Sequence, residues 1–193
     1  WTRGILDLKI DRDGYLWAAS GWEGVFKLSD EIVLEHFDSD NSNLPRDYTN
    51  QLEFANDGSI WFTHGGGGVS RYANSEIEVM TKNLNIPSNT SVDDIAFDNE
   101  GTIWLATSRG LGMFKNDSLT IFDMSDGLIR PENNADVNVD KDGKIIYNTY
   151  GSGFSIYDGN SFKNYNEENG LADNRVWDLT VDSKNNYWLA LDG

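Results

Sequence analysis

Apolar and polar residues alternate along this chain in short runs, and the runs come in groups of four. In the first group Ile5 to Asp11, Tyr15 to Ser20, Gly24 to Ser29 and Ile32 to Asp38 carry the period-two pattern of half-buried strands. No helical period and no heptad separates them. Asp13-Gly14 stands between the first two runs, a strong tight-hairpin signal because glycine tolerates positive φ. The pattern predicts four antiparallel strands per group.

The group then repeats. DGYLW ends at Trp17, DGSIW at Trp61, EGTIW at Trp104, DGKII at Ile146 and NNYW at Trp188, at intervals of 44, 43, 42 and 42 residues. Ten residues before each lie Asp7, Gln51, Asp94, Asp136 and Asp178, each followed by alternating apolar positions. A glycine opens each third run, at Gly24, Gly68, Gly110 and Gly153. An apolar residue marks each connecting loop, at Leu44, Ile86, Leu128 and Leu171. Four strands in about 42 residues is the arithmetic of a β-propeller blade. The expected fold is all-β: one propeller segment over 1–193, with blades at about 1–47, 48–90, 91–134 and 135–174 and a half blade at 175–193. Both ends supply first and second strands, so the expectation is a piece of a larger ring with a bare edge at Tyr187 to Leu191.

This frame disposes of the one stretch that suggests phosphate chemistry. Gly65 to Gly68 follow a hydrophobic run, but a phosphate loop needs a helix behind it and a closing Lys-Ser/Thr pair. GVSRY follows instead, so the glycines are read as a turn between the second and third strands of blade two.

The units resemble the two-component regulator propeller repeat, most closely at Asn169 to Leu191, NGLADNRVWDLTVDSKNNYWLAL. That stretch has a Gly-Leu loop, an Asn, an apolar strand, an Asp, a turn and a tryptophan strand, in the family's order. Ile146 in place of tryptophan, Gln51 in place of aspartate and the glycine-free turn at Asn185 and Asn186 depart from it. The resemblance implies the extracytoplasmic sensor region of a bacterial hybrid histidine kinase. The implied location is periplasmic or extracellular, with an oligosaccharide as ligand and a homodimer of the parent receptor as partner. Any kinase would lie outside these residues, so no enzyme activity and no cofactor is expected of the segment itself.

Composition narrows the partners. The formal net charge is −17, with 15 basic and 32 acidic residues, and the basic ones are scattered; a nucleic-acid partner is excluded on that field. No apolar run approaches the roughly 18 residues of a membrane span. Without cysteine there is no disulfide or thiolate metal site. The DRDG at Asp11 and DKDG at Asp140 lack the oxygen ladder and distal Glu of a calcium loop and are read as hairpin turns. NTS at Asn89 and NDS at Asn116 match glycosylation acceptors, a pattern too short to weigh much.

Residues that recur in every blade are read as structural, because a ligand pocket needs different groups from different blades. Trp17, Trp61, Trp104 and Trp188 are expected in packing between blades, and Asp7, Asp94, Asp136 and Asp178 to accept N–H bonds from the preceding connection. The corners between second and third strands vary instead: SGWEG with Trp22, HGGGG with His64, TSRG with Arg109, TYGSG with Tyr150. In propellers such corners surround the channel mouth. The expected ligand site takes Trp22 and Tyr150 as stacking platforms, His64 and Arg109 as polar or charged contacts, and Asp94 and Asp136 as acceptors. A protein-interaction scaffold without a small ligand is the main alternative. A remote one is a streptogramin lyase-like enzyme, suggested by IWFT at Ile60 to Thr63 with His64 next to it. Sialidase chemistry fails, because Arg12, Asn56, Asn99 and Lys141 hold the place of its aspartate.

Overall fold

A computed structural model describes residues 4–30, 32–66, 68–88, 90–132 and 134–193. Trp1, Gly67 and the acceptor Asn89 lie outside the described residues. The chain divides into two compact units, Trp1–Ile95 and Ala96–Gly193.

Unit one holds two antiparallel sheets in meander order. The first is β1 (Ile5–Ile10), β2 (Leu16–Ser20), β3 (Gly24–Ser29) and β4 (Ile32–Phe37). The second is β5 (Thr49–Phe54), β6 (Ile60–His64), β7 (Gly68–Ala73) and β8 (Glu76–Val79). Strand β9 (Val92–Phe97) runs across the division, and β10 (Ile103–Thr107), β11 (Gly110–Lys115) and β12 (Ser118–Phe122) follow it as consecutive antiparallel neighbours in unit two. Unit two continues with a sheet of β13 (Asp136–Val139), β14 (Ile145–Thr149), β15 (Gly153–Tyr157) and β16 (Phe162–Tyr165). A two-stranded sheet, β17 (Val176–Val181) with β18 (Tyr187–Leu191), ends it. The strand count per repeat is the one the alternation predicts.

The second strand of each full sheet is buried on both faces, which explains why β6, β10 and β14 read as near-continuous apolar runs. Sheets then stack by those faces. In unit one, Trp17, Ala19 and Val25 meet Leu52, Ile60, Phe62 and Ile77, with Leu44 of the connection sealing the seam. In unit two, Trp104, Ala106 and Leu111 meet Val137, Ile145 and Tyr147 in the same way, sealed by Leu128 and Ile129. Ile146 and Phe154 repeat the arrangement against Val176 and Leu179. Ile146 thus fills a tryptophan's place in the seam without breaking it. The terminal tryptophan departs from the expected packing. Trp188 is 63% exposed, whereas its repeat mates Trp17, Trp61 and Trp104 are buried, because no further sheet among the described residues covers that face of β17–β18.

The glycines that open the third strands are sterically required. At Gly24, Gly68, Gly110 and Gly153 φ is positive, and an added Cβ would stand about 2 Å from an atom of Phe37, Thr81, Phe122 or Tyr165. Gly68, the last of the four glycines, is therefore fixed by its positive φ and by the Thr81 side chain packed against it. Where the fifth hairpin lacks glycine, Asn185 takes the left-handed conformation at φ 64°, which asparagine tolerates best among residues with a side chain.

Candidate functional site

In four of the five repeats the first hairpin is centred on a carboxylate. Asp11 Oδ1 accepts from the N–H groups of Asp13 and Tyr15, and its Oδ2 accepts from the Trp17 indole at 2.8 Å. Asp98 does the same for Glu100, Thr102 and Trp104, and Asp182 for Lys184, Asn186 and Trp188. An aspartate six residues before the tryptophan thus closes the turn and satisfies the one polar atom of a large apolar side chain. Asp140 shows what happens when the indole is missing. With Ile146 in that place, its Oδ2 accepts instead from the Tyr187 hydroxyl at 2.6 Å, so the carboxylate ties one sheet to the next. In blade two the position is Ala55; the Trp61 indole turns to Ser59 Oγ, which is held by Asp57. Burial raises the Asp98 carboxyl, but the bonds from Trp104, Thr102 and Glu100 outweigh it and leave the group below the usual range. Asp140 is lowered by the same balance, with Tyr187 in the indole's role.

At the start of the first inner strand Asp7 departs from expectation. Asp7 accepts from its own neighbour Leu8 and, through Oδ2, from the Leu52 N–H of the following sheet at 2.9 Å, so it bridges forward between sheets. Asp94 accepts from Ile95 N–H, and Asp136 accepts from the Asn148 amide at 2.9 Å. Lys9 stands among these acids in unit one. Burial lowers its pKa, but the adjoining Glu53 carboxylate, helped by Asp7 and Asp94, leaves it raised.

The variable corners divide into open and closed ones. Trp22 is 59% exposed and packs edge-on against Tyr48, with ring centroids 5.5 Å apart. Gly65 lies against the same Tyr48 ring, where a side chain would collide, so this glycine makes room for the aromatic pair. Arg109 is exposed, its N–H donating to Thr107 Oγ1. Tyr150 is half-buried and its ring lies 4.2 Å from that of Trp177, a 55% exposed indole on β17.

His64 is the exception and corrects the sequence expectation. It is the last residue of β6 and wholly buried, with Nδ1 3.3 Å from Thr49 Oγ1 and Nε2 3.0 Å from Ser70 Oγ. Burial holds its pKa down at about 4, partly opposed by a hydrogen bond involving the Tyr48 backbone. It is a neutral interior imidazole and cannot meet a ligand in solvent. Among the sequence-derived positions, Trp22, His64 and Asp94 fall in unit one, and Arg109, Tyr150 and Asp136 in unit two. Among the described residues there is no cluster of three or more His, Asp or Glu suited to a metal ion.

Residues 85–109 match the family model of the two-component regulator propeller. The chain carries a two-component regulator propeller repeat. The matched residues include Asp98 and Trp104, so the carboxylate–indole hairpin belongs to that repeat. No curated protein matches the chain. Among solved structures, it is similar to the extracellular domain of hybrid two-component system BT3049 from B. thetaiotaomicron, at 24% identity and a TM-score of 0.79, over 97% of this chain and 26% of that one. It is also similar to the extracellular domain of one-component system BT4673 from the same organism, at 19% identity and a TM-score of 0.76, over 96% and 26%. Virginiamycin B lyase from Staphylococcus aureus matches at 11% identity and a TM-score of 0.74, over 97% and 63%. At these identities the likeness establishes the fold, an all-β propeller segment. The propeller segment spans about a quarter of the length of the two sensor-system domains.

The sequence reading missed three participants in this propeller. An aspartate six residues before the tryptophan position recurs in four of the five repeats, at Asp11, Asp98, Asp140 and Asp182, a spacing open to view but masked by the turn signal beside it. Tyr48 and Trp177 were harder to find. Each meets its corner partner from the next repeat, more than 25 residues away.

Proposed function

We propose that this segment is the extracytoplasmic sensing part of a two-component receptor and that it binds an oligosaccharide without catalysis of its own. The observation that carries the reading is the Trp22 corner. A large indole is held in solvent by an edge-on tyrosine, outside the apolar core, where an aromatic face suits the C–H side of a sugar ring. In unit two, Tyr150 and Arg109 occupy the corresponding corners, and Asp94 and Asp136 offer acceptors on the inner strands of their own units. The extracellular placement of the similar B. thetaiotaomicron domains supports a periplasmic or extracellular location. Signalling follows if the ligand prefers one of two receptor arrangements, such as a homodimer. Thermal unfolding in a series of oligosaccharides tests this. A dose-dependent rise in Tm that Trp22→Ala weakens is expected, and no rise with any glycan rejects the reading.

Leu8 on β1 is 55% exposed, whereas its repeat mates Leu52, Ile95, Val137 and Leu179 are all buried. That face is suited to another blade of the same kind, by continuity with the seam that Leu52 makes in unit one. The lyase alternative loses its candidate base, since His64 is enclosed and neutral.

A further inference from the structure

Trp177 lies at a β-bulge. The register of β17 with β18 passes from Val176↔Leu191 to Asp178↔Ala190, leaving Trp177 as the extra residue. Bulges re-aim a side chain out of the strand's alternation. Val176 and Leu179 on either side are buried, while the Trp177 indole stands in solvent. Tyr150, from the corner before β15, places its ring at 50° to the indole, so the two aromatic faces form an open angle.

Beside this pair lies a triad of one arginine and two aspartates. Arg175 donates from Nε to Asp173 Oδ1 at 3.0 Å and from Nη2 to Asp173 Oδ2 at 2.5 Å, a two-pronged fork. Its Nη1 donates to Asp192 Oδ2, and the Tyr150 hydroxyl lies 3.5 Å from the same oxygen. These bonds use three of the five guanidinium N–H groups and leave two to donate outward, while the carboxylates keep lone pairs to accept. The triad therefore presents both donors and acceptors at the edge of an aromatic face. Its net charge is negative, with one guanidinium against two carboxylates, inside a protein of net charge −17.

We propose that Trp177, Tyr150 and the Arg175–Asp173–Asp192 triad form a binding site in unit two for a neutral sugar residue. The indole covers the apolar face of the ring, and the triad exchanges hydrogen bonds with its hydroxyls. An anionic ligand, whether uronate, sulfate or phosphate, meets a guanidinium already paired and a surplus of negative charge, so the site discriminates against it. This rests on the oligosaccharide reading above and adds the location and charge class of the ligand.

The test is isothermal titration with neutral tetrasaccharides of glucose, mannose, xylose and arabinose, with tetragalacturonate as the acidic arm. At least one neutral tetrasaccharide is expected to bind, and Trp177→Ala to weaken it by about tenfold or more. Tetragalacturonate is expected not to bind. Trp188→Ala serves as the control, an exposed tryptophan on the same sheet with its indole on Asp182, and should leave the affinity unchanged. The urea midpoint of each variant establishes that it is folded, and Tyr150→Ala repeats the test should Trp177→Ala fail to fold. Binding that survives both Trp177→Ala and Tyr150→Ala overturns this site and leaves the oligosaccharide reading standing. Binding of tetragalacturonate lost with Trp177→Ala overturns the charge class. Failure of every neutral tetrasaccharide to bind the wild-type protein overturns this site, and failure of tetragalacturonate as well overturns the oligosaccharide reading with it.

Discussion

Trp17, in β2, and Trp22, in the turn after it, lie five residues apart and have opposite fates. Trp17 is 1% exposed, stacked among Phe37, Phe62 and Tyr72, with its indole N–H on Asp11. Trp22 stands mostly in solvent, edge-on to Tyr48. The first belongs to the hairpin that recurs in each repeat, the second to the corner that changes from repeat to repeat. The pair teaches that in this molecule recurrence marks the parts that bury surface. Variation marks the parts that do not, and there an aromatic side chain needs a reason beyond stability.

The largest effect that sharpens this contrast is Trp17→Ala. It removes the centre of the seam in unit one and is expected to cost about 3–5 kcal/mol, read from urea unfolding. A loss under about 1 kcal/mol would show that the seam does not depend on the recurrent residue.

His64 gives the next effect and breaks the simple rule, since it sits at a corner and is buried. Its folded pKa of about 4 lies below the ordinary 6.5. The unfolded chain therefore binds more protons than the native one between those values. Stability is complete above about pH 6.5 and falls as pH drops toward 4, by about 3 kcal/mol. Comparing unfolding free energies of wild type and His64→Gln from pH 7 to 4 isolates this share, because glutamine cannot titrate. Identical slopes would mean that His64 is open to protonation in the native state.

Asp98→Asn ranks below these. It keeps the size but weakens the acceptor for Trp104 and the turn amides, and should cost about 1–2 kcal/mol. The carboxyl is lowered in the native state, so this contribution is present above the unfolded carboxyl's pKa and is lost as pH falls through the native one. An unchanged midpoint at neutral pH would make the carboxylate–indole bond incidental.

Much of the fold was legible because its causes are local and repeated. Period-two alternation, Asp-Gly turns and a glycine before each third strand all recur at about 42 residues, so each repeat confirms the last. The departures came where a residue's surroundings are set by strands other than its own. His64 read as a polar corner residue, yet it closes on Thr49 and Ser70 of its own sheet and is covered on both sides. Trp188 matched its repeat mates in sequence, yet burial depends on a neighbouring sheet. Asp7 read as a turn-capping residue, and its second oxygen reaches forward to Leu52. The candidate site was half legible. Trp22 and Tyr150 stood out as aromatics in variable corners, but their partners Tyr48 and Trp177 needed the structure.

The whole division of labour comes down to a variant that should do almost nothing to the fold. The urea midpoint of Trp22→Ala, measured beside Trp17→Ala, is expected to keep the stability within about 0.5 kcal/mol of wild type. A drop comparable to that of Trp17→Ala would mean that the corner tryptophan is part of the scaffold, and the case for a ligand platform there would collapse.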